Sequence, residues 1–90
     1  SDNYVEVFYL NNNLTTKKLI RGSLKTIAAS LNSYRQFLRC HKSYLVNLQK
    51  VKHISGNAQG YKLHLSGTHE LIPVSRSNNE TIKQHLIGLP

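Results

Sequence analysis

The residues that could do chemistry concentrate in one short stretch near the middle of the chain, FLRCHKSYLVNL. Apolar residues there flank a cluster of Arg39, Cys40, His41, Lys42 and Ser43. A hydroxyl beside an imidazole could form a nucleophile and its base, whereas two cations with a hydroxyl suit contact with an anion such as a phosphate. A solvated basic turn between two strands is the third interpretation.

Catalysis is poorly supported by the rest of the chain. His41 and Ser43 would share one face of a strand, but no suitable carboxylate lies nearby in sequence to orient the histidine. The chain has only four Asp and Glu for acid–base chemistry. Its five histidines show no metal-ligand spacing, and it has no cysteine pair. We therefore predict a protein that is not an enzyme and has no metal or cofactor.

The charge balance favours contact with an anion. Twelve Lys and Arg against four Asp and Glu give a net charge of +8 over 90 residues. Such an excess on one small domain is typical of nucleic-acid binding. A membrane surface would more naturally be met by a basic amphipathic helix, which the sequence does not predict, and no apolar run is long enough to span a bilayer.

The single cysteine, Cys40, indicates a reducing compartment, and we expect a cytoplasmic protein. Its thiol is expected to pack like a small hydrophobic group. The alternative is a reactive thiol whose pKa is lowered by Arg39, His41 and Lys42.

Short strands and two short helices must position these residues. Alternation, β-branched residues and turn residues predict strands over 4–10, 14–20, 51–55, 61–65 and 69–74, and a strand, a turn and a second strand within 37–48. The strand over 4–10 is apolar on both faces apart from Glu6, so we expect both faces to be at least partly covered. Pro73 predicts that the strand over 69–74 is an edge strand or ends early, because proline lacks an N–H for a second neighbour.

Two helices are predicted from periodicity and capping residues. An apolar stripe at helical spacing predicts the first over residues 23–32, with Ser23 as its N-cap and Asn32 as its end. Ser77 and Glu80 form a potential capping box for the second, which Gly88 and Pro90 would end. The expected architecture of residues 1–90 is one mostly β domain of small antiparallel sheets with one or two short helices.

Three polar segments could then meet one face of DNA. The first is the cationic cluster, whose Lys42 could reach guanine O6 and N7 in the major groove. The second is PVSRSNNE, where helix-start N–H groups could hold a phosphate and leave Arg76 free for a base edge. The third is the polar start of the chain, SDNYV.

FLRCHKSYLVNLQKVKHI resembles the signature of the LytTR family of bacterial DNA-binding domains, which runs F-x-R-x-H-[RNK]-S-[YF]-[ILV]-V-N. Three further segments resemble the family's flanking segments in the same order: SDNYVEVF, GSLKTIAASL and ELIPVSRSNNETIKQHL. The resemblance therefore covers essentially the whole chain. It implies sequence-specific binding of duplex DNA by loops that enter successive major grooves. It also implies an output domain of a two-component response regulator, behind a receiver domain, that binds repeated sites, often as a dimer.

The resemblance also implies roles for particular residues. Lys42 stands at a variable base-reading position, Arg76 at a base-contacting position, and Asn3 or Tyr4 near a third contact. The remaining four would hold the DNA backbone or brace a loop: Arg39, His41, Ser43 and Ser77. Asn47 is expected to stabilise a turn instead of contacting DNA.

This sequence departs from the family pattern at its start. The family has one or two strands before the position of Ser1 and a receiver domain before them, so we expect a fragment whose first strand has an open edge that could pair with a second copy. Two other functions stay open from the residues alone. One is a small β-barrel that stacks single-stranded nucleic acid on exposed tyrosines, and the other is a protein-interaction module that uses a strand edge.

Overall fold

The structure of this protein is a computed structural model that describes residues 4–86, with the side chain of Leu86 left out. Its strands are β1 (Tyr4–Asn11), β2 (Leu14–Arg21), β3 (Phe37–His41), β4 (Tyr44–Asn47), β5 (Val51–Asn57), β6 (Gly60–Leu65) and β7 (Leu71–Pro73). Its helices are α1 (Leu24–Ser30) and α2 (Asn79–Leu86), with single 3₁₀ turns at Leu48–Lys50 and Arg76–Asn78. The strands pair antiparallel in three small sheets, β1-β2, β3-β4 and β5-β6-β7. The predicted mostly β architecture is confirmed.

β1 and β2 form a hairpin whose register runs from Tyr4 opposite Arg21 to Asn11 opposite Leu14. Asn12 and Asn13 make its two-residue turn with φ of 51° and 67°. Positive φ at both turn residues matches the right-handed twist of the strands, and asparagine tolerates it.

Val5 and Val7, on one face of β1, are half-buried, but the opposite face is exposed. The expectation that both faces of the strand over 4–10 are at least partly covered is therefore wrong for that face. Phe8 is 51% exposed, Leu19 59% and Leu14 72%. The hairpin pairs only with itself and touches the β6–β7 turn, where Thr15 Oγ1 donates a hydrogen bond to the carbonyl of Gly67. The hairpin therefore has more apolar side chains than the other described residues cover.

The core lies between the other two sheets and α2. Cys40, Leu63 and Ile82 are fully out of contact with solvent. The remaining buried apolar residues of the cluster are Val46, Leu48, Val51 and Val74. Each fully buried aliphatic side chain contributes about 1.5–3 kcal/mol to folding, so these few residues hold β3, β4, β6 and α2 together.

Helix α1 forms as its sequence predicts. Leu24, Ile27, Ala28 and Leu31 are half-buried, as expected for one helical face. The Ser23 hydroxyl accepts a hydrogen bond from the backbone N–H of Thr26 at 3.1 Å, which confirms the predicted N-cap. The helix ends at Ser30, and Leu31 rather than Asn32 is its C-cap.

The predicted capping box of α2 is wrong. Arg76–Asn78 form a 3₁₀ turn, so α2 begins at Asn79. Ser77 lies inside that turn, with its hydroxyl 3.3 Å from the hydroxyl of Ser75, and Glu80 pairs with Lys83. The predicted helix end at Gly88 and Pro90 falls outside the described residues.

Strand β7 is an edge strand, as Pro73 predicts, although it spans three residues instead of the predicted 69–74. Among residues 4–86, no helix is long and apolar enough to cross a bilayer. The same residues contain no group of three or more metal-ligating side chains.

Candidate nucleic-acid interface

Two segments far apart in sequence meet at one end of the fold. We call residues 39–43, at the β3–β4 hairpin, the tip, and residues 75–78, between β7 and α2, the loop. Together they enclose an open cleft of about 380 Å³. Its lining residues are Arg39, His41, Lys42, Ser75, Ser77 and Asn78. The cleft is therefore shared by the two segments for which the sequence predicts DNA contact.

The tip is braced by its own side chains. Arg39 Nη2 donates a hydrogen bond to the carbonyl of Lys42 at 2.7 Å, and the backbone N–H of Ser43 donates to His41 Nδ1 at 3.0 Å. Because Nδ1 accepts, the neutral His41 ring carries its proton on Nε2. The ring also packs edge-to-face on Tyr44, with centroids 5.6 Å apart. These contacts hold the exposed Lys42 and Ser43 at the apex.

The loop starts where β7 stops. Val74 is buried, and its N–H donates to the carbonyl of Tyr61 at 3.0 Å, which fixes the chain just before the loop. The following 3₁₀ turn leaves Arg76 exposed at the surface. The exposed Arg76 therefore lies two residues after a buried, hydrogen-bonded valine.

The two segments are joined mainly at one backbone carbonyl, that of Cys40, with a longer bond from Asn78 Nδ2 to the carbonyl of Arg39 at 3.4 Å. Its oxygen accepts hydrogen bonds from Ser75 N at 2.9 Å, Ser75 Oγ at 3.3 Å and Asn78 Nδ2 at 3.1 Å. Asn78 Nδ2 also donates to Ser75 Oγ at 2.7 Å. These bonds link residues 35 and 38 positions apart in the chain.

Cys40 is a free cysteine whose side chain is buried in the core. Burial raises the pKa of its thiol to about 11, and a backbone hydrogen bond offsets that rise only in part. This direction is opposite to the alternative in which neighbouring cations lower the pKa, because desolvation disfavours the thiolate. The expected role as a small packed apolar group is confirmed.

Cations at the cleft are available to an external anion. Among residues 4–86 the only ion pair joins Lys83 and Glu80, at 3.8 Å on the surface of α2. Arg39, Lys42 and Arg76 therefore have no carboxylate partner within the described chain. Cations without a carboxylate partner are available to the phosphates of a nucleic-acid backbone.

The structure brings together most of the predicted site residues. Arg39, His41, Lys42 and Ser77 line the cleft. Ser43 and Arg76 flank it, one in the tip and the other in the loop.

The third predicted contact is not part of the cleft. Tyr4 lies on β1, where its hydroxyl accepts a hydrogen bond from Arg21 Nη2 at 3.3 Å and its ring lies 5.6 Å from the Arg21 guanidinium carbon. Asn3 falls outside the described residues. The expected role of Asn47 as a turn residue is confirmed, since its Oδ1 accepts from Gln49 N at 3.0 Å.

Ser75 and Asn78 also line the cleft, although the sequence did not identify them as site residues. Ser75 follows a buried valine at a strand end, which is a position where hydroxyls commonly satisfy backbone groups. Nothing near Asn78 in sequence indicates that its partner lies 38 residues away.

The chain is similar to known DNA-binding domains in sequence and in fold. The family model of the LytTr DNA-binding domain matches residues 1–87. Among solved structures, the chain is similar to one described as the LytTr DNA-binding domain of a methyl-accepting/DNA response regulator from Bacillus cereus. The two share 24% identity with a TM-score of 0.59, over 93% of this chain and 73% of the other, which shows a common fold. No curated protein matches the chain.

Proposed function

We propose that this chain, which belongs to the LytTr DNA-binding domain family, binds specific duplex sequences by placing the tip and the loop in the major groove. The observation that carries the proposal is the shared cleft, in which two cationic segments from distant parts of the chain are hydrogen-bonded to each other. A DNA-binding family argues for a binding role and against a catalytic one.

The geometry supports a division of labour among the predicted residues. Lys42 and Arg76 are exposed, and we assign them to base edges, since both side chains can donate to guanine O6 and N7. His41 Nε2, Ser43 and Ser77 are assigned to phosphates or to bracing. Arg39 is assigned mainly to bracing, because its guanidinium already holds the Lys42 carbonyl. Tyr4, which is exposed on β1, would contact DNA only beyond the cleft, and Asn3 is assigned to the same third contact.

The wider setting is also part of the proposal. We assign residues 1–90 to one domain, the output module of a cytoplasmic transcriptional regulator that follows a receiver domain. Repeated DNA sites would then be occupied by two copies.

Selection of bound duplexes from a random pool tests the proposal directly. An enriched motif, present once or as a repeat, is the expected result. A pool that stays unenriched while the protein still retains DNA would contradict sequence-specific binding. The recovered motif also supplies the site for the variants below.

The first prediction concerns Arg76→Ala. Loss of a bidentate contact should cost about 1–3 kcal/mol of binding free energy and relax one base position. Titration of the selected duplex and its single-base variants measures both effects.

Lys17→Ala is the matched control, because it removes one charge from the exposed hairpin, outside the cleft. It should leave the order of preference among sites intact. If Arg76→Ala also kept that order, the assignment of the loop to base contact would be wrong.

A second candidate function rests on the exposed aromatic residues of the hairpin. Tyr4 is 46% exposed, Phe8 51% and Tyr9 43%, and single-stranded bases stack on such rings. Competition between duplex and single-stranded oligonucleotides separates the two functions. Preferential displacement by the single strand, lost in Phe8→Ala, would favour this candidate.

A further inference from the structure

We propose that Asn78 sets the spacing between the tip and the loop, and so determines specificity without contacting a base. The inference rests on the proposed function, in which the two segments read different base positions. It adds a positioning residue whose role is to hold two reading elements in register.

The network around Asn78 is directional. One amide hydrogen of Asn78 Nδ2 is donated to Ser75 Oγ at 2.7 Å, and the other points at the carbonyls of Cys40, at 3.1 Å, and Arg39, at 3.4 Å. Ser75 Oγ in turn donates to the Cys40 carbonyl at 3.3 Å. The amide therefore clamps the strand that leads into the tip against the loop that carries Arg76.

The clamp acts where small displacements matter. Cys40 lies two residues before Lys42, and Asn78 lies two residues after Arg76. A shift at the clamp is therefore passed to both side chains through very short stretches of backbone. One backbone bond, from Ser75 N to the Cys40 carbonyl at 2.9 Å, remains when the side chain of Asn78 is removed. A variant should thus keep the fold while loosening the relative position of the two segments.

The regular spacing of base pairs in DNA makes a change in the relative position of the tip and the loop measurable. One base pair advances by about 3.4 Å along the duplex and turns by about 35°. A rigid pair of reading segments should reject a site in which one base pair is inserted between the two recognised positions. A loosened pair should reject it less.

The test compares the wild-type 90-residue chain with Asn78→Ala on the selected duplex and on the same duplex with that insertion. We expect Asn78→Ala to reduce the penalty for the insertion roughly fivefold, the worth of about one hydrogen bond. It should relax base preference at both positions, whereas Lys42→Ala and Arg76→Ala each relax one. Affinity for random duplex should stay within about twofold, because the net charge is unchanged.

Asn79→Ala is the matched control. Its Nδ2 donates to the carbonyl of Ala58 at 2.9 Å, in the β5–β6 turn, so the substitution removes a comparable bond away from the tip. The insertion penalty should stay at the wild-type value. A general loss of stability would move both variants alike and would contradict the inference.

Ser75→Ala provides a second variant in case Asn78→Ala does not fold, since it removes only the hydroxyl that accepts from Asn78 Nδ2 and donates to the Cys40 carbonyl. It should also reduce the insertion penalty. If Lys42→Ala and Arg76→Ala relax their positions but a folded Asn78→Ala or Ser75→Ala keeps the wild-type penalty, this inference alone is overturned. If neither Lys42→Ala nor Arg76→Ala changes any base preference, the proposed function fails and the inference with it.

Discussion

At the scale of single residues, the site depends on side chains that hold backbone as much as on those that face outward. Arg39 holds the Lys42 carbonyl, and His41 holds the Ser43 amide. Two of the cationic or titratable groups in the tip are thus partly committed to its shape. Exposed Lys42 and Arg76 remain the groups best placed to read a partner.

The buried thiol makes stability depend on pH in the alkaline range. Burial raises the pKa of Cys40 from its ordinary value of 9.0 to about 11, so between these values the folded chain keeps a proton that the unfolded chain loses. Stability from this group is complete below pH 9 and is lost as pH rises toward 11, by up to about 2–3 kcal/mol.

Urea unfolding at pH 8 and pH 10.5 measures this effect against Cys40→Ala, which has no thiol to ionise. The stability of the wild type should fall relative to that of the variant as the pH rises. A difference between the two proteins that does not change with pH would show that the thiol ionises equally in both states.

At the scale of elements, turn conformation decides which strands pair. The Asn12–Asn13 turn uses positive φ to close β1 on β2. Gly56 adopts a φ of 89° at the end of β5, where a β-carbon would overlap the carbonyl oxygen of Gly60. The β5–β6 pair carries Leu63, so its geometry reaches the centre of the core.

Gly56→Ala is therefore expected to destabilise the fold by about 2–4 kcal/mol, through strained backbone and displacement of β6. Gly60→Ala is the control, since a β-carbon there meets open space, and it should change stability by less than about 1 kcal/mol. Thermal or urea unfolding compares the two. Equal losses would show that the close approach at Gly56 is not what fixes the glycine.

At the scale of the whole molecule, charge and exposed apolar surface are distributed differently. The chain has a net charge of +8, and its described residues form one ion pair. The apolar surface is concentrated on the β1–β2 hairpin, away from the cleft. We expect the first property to govern affinity for DNA and the second to promote association of the protein with itself.

Duplex affinity should fall steeply with salt. If about five phosphates are neutralised, the logarithm of the binding constant should decrease with the logarithm of salt concentration with a slope near −4.5. Titrations of one duplex at several salt concentrations give this slope. A slope close to zero would favour a protein-interaction module over a DNA-binding domain.

The exposed hairpin should promote self-association at high protein concentration, since exposed apolar strands with open edges pair readily. Leu19→Lys should weaken that association, as measured by sedimentation velocity, without changing site preference on DNA. Leu71→Lys, which alters an exposed leucine on β7, serves as the control. Equal weakening by both substitutions would locate the contact elsewhere.

The sequence by itself determined the features that depend on residues close together in the chain. The strand and turn pattern, the N-cap at Ser23, the edge position of Pro73 and the cationic tip all follow from residues a few positions apart. The family signature in residues 37–48 likewise depends on local residue order. Such features can be predicted because their physical causes, backbone propensity and charge, act within one element.

Only the tertiary structure decided what depends on distant partners. The strand over 4–10 was expected to be at least partly covered on both faces because its residues are apolar, yet one face is exposed. An apolar pattern shows which residues could be buried, but it does not supply the surface that buries them. The capping box at Ser77 failed where the chain formed a 3₁₀ turn whose Asn78 is hydrogen-bonded to Cys40. The hydrogen bond between Asn78 and the Cys40 carbonyl joins residues 38 positions apart. It can form only when the core beneath both segments is packed, and that packing is a property of the whole fold.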